Sequence, residues 1–161
     1  MLVLQDVLNC GMRALVQMVS EAHVKVDGEK ISFINTGLLV FLGIENSDEE
    51  SDLVWLANKI IKMRLFEDDN GKMNQSIEDI KGQLLIVSQF TLHASTKKGN
   101  RPSYTKAAKP AIAIPLYTKF IDTLESKLGK NIQTGKFGSH MELEIHNDGP
   151  VTIIIDTKNK F

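Results

Sequence analysis

The chain has 161 residues, of which 42% are hydrophobic and 24% charged, with a formal net charge of -1 and a single cysteine, Cys10. That length fits one domain burying roughly two-thirds of its unfolded surface, the charge excludes nucleic-acid binding driven by overall charge, and one cysteine excludes an internal disulfide and suits a reducing compartment. The longest apolar run, 38–44, falls far short of the ~20 residues that span a membrane, and the N-terminus lacks a basic leader and a long apolar core, so we expect a soluble, cytoplasmic protein with no membrane partner.

Residues 13–19 and 22–27 read as two short strands, the second alternating Val24 and Val26 with polar neighbours. Asp27-Gly28 is a hairpin signal, and 31–34 is the returning strand. The continuous apolar run 38–44 predicts a buried strand. Ser47, with Glu50 three residues on, has the capping-box pattern. Beyond it Leu53, Leu56, Ala57, Ile60 and Ile61 recur at helical spacing, with Trp55 at the edge of that face. After a polar turn at 67–72, residues 84–87 predict a second buried strand running on into Ser88-Gln89-Phe90-Thr91. A loop follows at 96–102.

A helix is predicted over 115–128, with Pro115 near its first turn, Gly129 as its stop, and Leu116, Tyr117, Phe120, Ile121, Leu124 and Leu128 as its buried stripe. Two alternating segments then flank Asn147-Asp148-Gly149-Pro150-Val151-Thr152: Met141, Leu143 and Ile145 before it, Val151, Ile153 and Ile155 after it. The pattern predicts a closing hairpin. Proline gives up its N–H and glycine tolerates unusual backbone angles, so this turn has backbone groups to offer a ligand, and its Gly149–Pro150 bond is open to cis as well as trans. Taken together, the elements predict an α+β fold: a mainly antiparallel sheet, partly closed and β-barrel-like, flanked by two main helices.

Familiar side-chain chemistries find little support. A nucleophile needs a base beside it, but on a strand Ser88 and His93 point to opposite faces. Thr91 and His93 would share a face, where a lone histidine is more often structural. There is no nucleophile elbow, P-loop or dinucleotide fingerprint, and His23, His93, His140 and His146 lack zinc-ligand spacing. No cofactor or metal is expected. Charge is more informative: from His93 through Ile121 there are Lys97, Lys98, Arg101, Lys106, Lys109 and Lys119 with no acidic residue, whereas 45–52 carries Glu45, Asp48, Glu49, Glu50 and Asp52. The basic stretch is either a solvated loop or a phosphate-binding surface.

The segment Leu85-Ile86-Val87-Ser88-Gln89-Phe90-Thr91-Leu92, followed by Lys97-Lys98-Gly99-Asn100-Arg101-Pro102 and then by Asn147-Asp148-Gly149-Pro150-Val151-Thr152, closely resembles the D-aminoacyl-tRNA deacylase family. Met12-Arg13-Ala14, Phe66-Glu67-Asp68, Gly71-Lys72-Met73-Asn74 and Gly135-Lys136-Phe137-Gly138 extend the resemblance over nearly the whole chain from Met12. It implies one domain over 12–161, preceded by an extension, 1–11, to which no role is assigned. It also implies a homodimer with active sites at the subunit interface, Ser88 to Thr91 of one subunit facing Gly149 and Pro150 of the other. The implied partner is tRNA rather than DNA, and the substrate a D-aminoacyl or glycyl ester on the terminal adenosine.

In the family the Gly–Pro bond is cis, and its carbonyls occupy the space an L side chain would need. The resemblance further implies a catalytic role for Ser88, Gln89, Phe90 and Thr91, with the backbone N–H groups of Gln89, Phe90 and Thr91 as oxyanion donors and the Thr91 hydroxyl in support. Gly149 and Pro150 become the chirality filter, and Lys97, Lys98 and Arg101 tRNA contacts. Phe137 and Met141 match pocket-lining positions, and both read equally well as core. Position 18 departs from the pattern: it is Met where family members usually have an Arg that helps hold the Gly–Pro carbonyls.

Overall fold

The computed structural model describes residues 11–160; residues 1–10, most of the expected extension, and Phe161 lie outside the described residues. One long strand organises the sheet. β1 (Arg13–Val26) runs unbroken where two strands were predicted, because the polar Ser20-Glu21 step falls at a register irregularity and not at a chain reversal. Along one edge β1 pairs antiparallel with β2 (Glu29–Ile34) and β3 (Gly37–Gly43), and along the other with β8 (Glu142–Asp156). Next to β3 lie β6 (Gln83–Ser88) and then β7 (Gln133–Thr134), both joined in parallel, so the sheet is mixed rather than purely antiparallel. Parallel neighbours need crossovers. These are α1 (Glu50–Lys62) with the small hairpin of β4 (Phe66–Glu67) and β5 (Met73–Gln75), and α2 (Pro110–Leu128).

Both faces of this barrel-like sheet are apolar. Ala14, Val16, Leu38, Val40, Leu42, Leu84 and Ile86 face the helices, where Leu53, Leu56, Ile60, Phe120 and Leu124 meet them. Val19, Ala22, Val24, Ile34, Leu39, Leu85 and Val87 form a second cluster, covered in part by Phe41, Met141, Leu143 and Ile145. Burial on both faces is why β3 and β6 read as continuous apolar runs.

The predicted closing hairpin is not formed. Residues 142–156 are one strand, and both of its halves pair with β1. Between them the register slips. Two steps on β1, Gln17 to Val19, face five on β8, Thr152 to Asn147, so three residues are extra on β8; two further steps, Val19 to Glu21, face only one, Asn147 to His146. An odd insertion exchanges the faces of a strand. Accordingly Leu143 and Ile145 pack on the second cluster, while Ile153 and Ile155 pack on the main core.

The helix ends differ from the sequence reading in detail. The cap of α1 is Glu49, whose N–H donates to Asp52 Oδ2 at 2.9 Å, whereas Ser47 donates to Glu45 Oε2 at 2.6 Å. A Glu/Asp pair two residues on competes successfully with Ser47 and Glu50. The second helix starts at Pro110, and Pro115 lies inside it; Gly129 ends it with φ +64°. The predicted stripe holds, with Ala113, Tyr117, Phe120 and Leu124 buried and Leu116, Ile121 and Leu128 half-buried against the core.

Candidate active site

The ladder between β3 and β6 ends at Ser88, opposite Leu42. One further bond, from the Gln89 N–H to the Leu42 carbonyl at 2.7 Å, closes it, and the chain then turns into a single 3-10 turn, Phe90–His93. The strand predicted to continue through Thr91 therefore stops short. Gly43 gives the turn room. A Cβ there would lie 3.0 Å from the Gln89 carbonyl oxygen, 3.0 Å from Leu92 Cβ and 3.1 Å from His93 Cδ2, so any larger residue would push the turn by a few tenths of an ångström where it closes over the end of β3. His93 is buried against this junction and hydrogen-bonded to the Gly43 backbone. Burial lowers its pKa, and Arg13 adds to that, against the Gly43 bond. It is a packing residue.

A pocket of about 80 Å³ opens at the turn. It is lined by Leu42 and Ile44 at the end of β3, by Ser88, Gln89 and Phe90 where β6 gives way to the turn, by Ala108 and Ala113, and by Phe137 and Gly138. Phe137 meets the Tyr117 ring edge-on at 5.6 Å, and the Tyr117 hydroxyl donates to the Ile86 carbonyl at 3.1 Å. Burial pushes that phenol up to about 12, so it stays a neutral donor. Phe90 is 57% exposed and packs edge-on against Tyr104, at 5.1 Å and 75°.

The turn presents donors. Among the described residues the Gln89 N–H is committed to Leu42, while no hydrogen bond takes up the N–H of Phe90 or Thr91. These are first-turn amides without an internal partner. The Gln89 side-chain amide donates to Thr91 Oγ1 in a short hydrogen bond. Thr91 is thus paired with a donor and not with a base, which leaves its own hydroxyl hydrogen to give away and does nothing to activate it as a nucleophile.

Gly149 and Pro150 are exposed, joined by a cis peptide bond, and do not line this pocket within the chain. They form the crest of the β8 insertion. Gly149 has φ +116°, and a Cβ on it would meet Val151 Cγ2 at 2.7 Å. Asn147 secures the base of the crest. With its amide oriented to satisfy both ends, Nδ2 donates to the carbonyls of Met18 (2.9 Å) and Val151 (3.2 Å), and Oδ1 accepts from Gln17 Nε2 (3.2 Å) and Thr152 Oγ1 (3.0 Å). Position 18 contributes its backbone here; the Met18 side chain is half-buried against the main core.

The structure therefore brings Ser88, Gln89, Phe90 and Phe137 to one pocket. Met141 sits beside the second cluster, and Lys97, Lys98 and Arg101 lie exposed on a loop pinned at its base by reciprocal Ser95 and Ser103 backbone bonds of 2.8 and 2.9 Å. Sequence reasoning missed Tyr104, Ala108, Ala113 and the Asn147 clamp. A glycine ending an apolar strand, Gly43, was the one signal that a second backbone comes close.

The chain matches the family model described as D-Tyr-tRNA(Tyr) deacylase over residues 15–156. It is 57% identical over 149 residues to the D-aminoacyl-tRNA deacylase of Flavobacterium johnsoniae, covering 92% of this chain and 99% of that one. With the Bacteroides fragilis protein of the same name it shares 56% over 149 residues, with the same coverage. The solved structure of a c-Myc DNA unwinding element binding protein superposes with a TM-score of 0.85 at 41% identity, covering 89% of this chain and 97% of that one.

Proposed function

The chain belongs to the D-Tyr-tRNA(Tyr) deacylase family, and we infer from this that it is an aminoacyl-tRNA ester hydrolase, a D-aminoacyl-tRNA deacylase. The observation that carries the chemistry is the pair of unengaged N–H groups at Phe90, which lines the pocket, and at Thr91, the next residue of the turn. Water adds to the ester carbonyl, the two amides receive the charge that develops on its oxygen, and collapse expels the ribose hydroxyl of the terminal adenosine with a proton. The products are a free amino acid and tRNA. Each oxyanion donor typically contributes ~2.7–4 kcal/mol. An aminoacyl ester is already activated, so such donors and a positioned water suffice. The Thr91 hydroxyl supports the water or the oxyanion, and the neighbouring ribose hydroxyl of the substrate assists.

The exposed Gly149–Pro150 crest is the chirality filter. It acts on the pocket of a second subunit: it projects from its own chain and leaves its own pocket unlined. Backbone placed where an L side chain would project admits D-residues and glycine, the latter including glycine mischarged on tRNA-Ala. The active form is a homodimer working in the cytoplasm, where charged tRNA is used, and Lys97, Lys98 and Arg101 hold the acceptor end.

The direct experiment compares release of amino acid from D-Tyr-tRNA and L-Tyr-tRNA. Rapid loss of the D-form with survival of the L-form is expected; equal loss of both removes the filter, and salt-dependent tRNA binding without turnover of either makes the protein a binding module. Thr91→Ala retains turnover if Thr91 only supports the reaction, whereas complete loss together with a trapped acyl-enzyme in the parent makes it the nucleophile. Sedimentation reports the dimer. Because the solved relative is named for a DNA element, duplex DNA belongs among the competitors, and it is expected to displace tRNA poorly.

A further inference from the structure

Beyond the 3-10 turn lies a second cavity, larger than the first, at about 340 Å³. Its lining includes Arg13 from β1, His93 at the end of the turn, Ser95, Thr96 and Lys97 from the loop, and Lys106. Three cationic side chains from separate segments converge there with two hydroxyl groups. Among the described lining residues there is no carboxylate. Arg13 is held in place: its Nε donates to Asp156 Oδ2 at 2.9 Å and its Nη1 to the Leu92 carbonyl at 2.9 Å. Those bonds use two of the five N–H donors of a guanidinium and hold the group where Arg13 lines the cavity. Asp156 anchors this arrangement. Burial pushes its carboxyl up, but Arg13 and the N–H groups of Asn159, Lys158 and Gly11 outweigh that and hold it below the usual carboxylate range.

We propose that this cavity is a phosphate site for the RNA backbone immediately upstream of the 3′ end. The proposal rests on the functional reading above and assigns a role to Arg13 and Lys106, which that reading does not use. Fixed guanidinium and clustered ammonium groups recognise a phosphodiester by charge-assisted hydrogen bonds. Location selects the partner. A 3-10 turn rises ~2 Å per residue, so the wall at His93 starts only a few ångströms from the catalytic rim at Phe90. A strand whose terminal ester occupies the pocket has its preceding phosphates within reach of this cavity. One end of the turn would handle the ester and the other would register the strand.

The test uses Lys97→Ala, Lys106→Ala and their combination, with Lys→Arg at each position as the charge-retaining counterpart. Binding of uncharged tRNA is measured from low to moderate salt. Removing one cation that neutralises a phosphate of single-stranded RNA lowers the slope of log K against log salt by about 0.7. Each single alanine variant is expected to show that drop and the double variant about twice it, the double with roughly tenfold weaker binding; the arginine variants recover both. Hydrolysis of D-aminoacyl-tRNA is then compared with that of D-aminoacyl-adenosine, which has no phosphate. The loss in kcat/KM is expected to be at least about fivefold greater on the tRNA ester and to lie in KM.

An unchanged salt slope, or equal losses on both esters, overturns the proposal. Inorganic phosphate separates the two sources of the same chemistry. If it binds the parent at the Lys97 and Lys106 positions while those variants bind tRNA normally, the cavity is a small-anion site and the RNA assignment falls. Failure of the parent to hydrolyse either ester would sink the functional reading and leave the binding arm to decide the cavity on its own.

Discussion

Two stretches of backbone carry the proposed chemistry, and they are held by opposite means. The Phe90–His93 turn is seated by close packing: a Cβ on Gly43 would press on it at 3.0–3.1 Å, His93 is buried, and Leu42 and Ile44 line the pocket. The crest at 148–150 is exposed, and its base is fixed by the polar clamp of Asn147, Gln17 and Thr152. A packed element is intolerant of added volume. A clamped one is intolerant of lost hydrogen bonds. The contrast suits their proposed tasks, since oxyanion donors must not move, whereas a filter must stand clear of its own subunit to reach another.

These two means of support predict which variants should fail and how. Gly43→Val should have the largest effect. Its Cβ and methyl groups press on the turn, and a displacement of about 1 Å costs about 10²-fold in rate; kcat/KM on the D-ester should fall accordingly, with the ratio of D- to L-ester hydrolysis unchanged. Asn147→Ala comes next. Loss of the clamp leaves the Met18 carbonyl without that donor and frees the crest, and the ratio of D- to L-ester hydrolysis should drop by roughly tenfold, the effect of one or two hydrogen bonds, while turnover of the D-ester changes less. If both variants lose rate and selectivity together, the two regions are one unit and the contrast is wrong.

Tyr117→Phe removes a hydroxyl behind the pocket wall but leaves the Ile86 carbonyl its second donor, the Gly135 N–H at 2.9 Å. A loss of about 1 kcal/mol is expected, which calorimetry should read as a fall of roughly 2–4 °C in Tm with Phe137 still in place.

The smallest effect belongs to a carboxylate remote from both regions. Burial raises Asp48 to about 6, partly offset by the Glu45 N–H and Lys158. A folded-state value above the unfolded one means the folded chain binds the proton more tightly, so this group makes the protein more stable as pH falls from about 6 towards 4. Asp156, depressed, works in the opposite sense: its contribution is present above the ordinary carboxylate value and is lost as pH falls below it. Asp48→Asn should therefore flatten the Asp48 part of the slope between pH 6 and 4 in thermal scans, without altering selectivity at fixed pH.

Much of this was legible from residue order. The buried strands β3 and β6, the α1 stripe, the α2 stripe and the Gly129 stop all follow from periodicity, and the motif pair pointed to the family. What failed failed where local chemistry is ambiguous. Alternation on either side of Asn-Asp-Gly-Pro looks the same for a hairpin and for a bulge in one long strand; only a partner as long as β1 distinguishes them, and Ser20-Glu21 hid that partner. Phe90 and Thr91 favour strands by propensity, yet Gly43 and the Gln89–Leu42 bond end the ladder before them. The Asn147 clamp was out of reach for the same reason, since it joins residues 130 positions apart, Gln17 and Asn147.

The odd count of residues inserted in β8 sets a rule for the length of this segment. Leu143 and Ile145 serve one core and Ile153 and Ile155 the other, because three extra residues exchange the strand's faces. One residue added or removed between Asn147 and Thr152 restores the wrong alternation, turning Ile153 and Ile155 outward and Thr152 and Ile154 inward. The loop-like crest is therefore not free to drift in length as surface loops do; it can grow or shrink only by pairs. Its conformation serves the proposed function, but its arithmetic belongs to the fold.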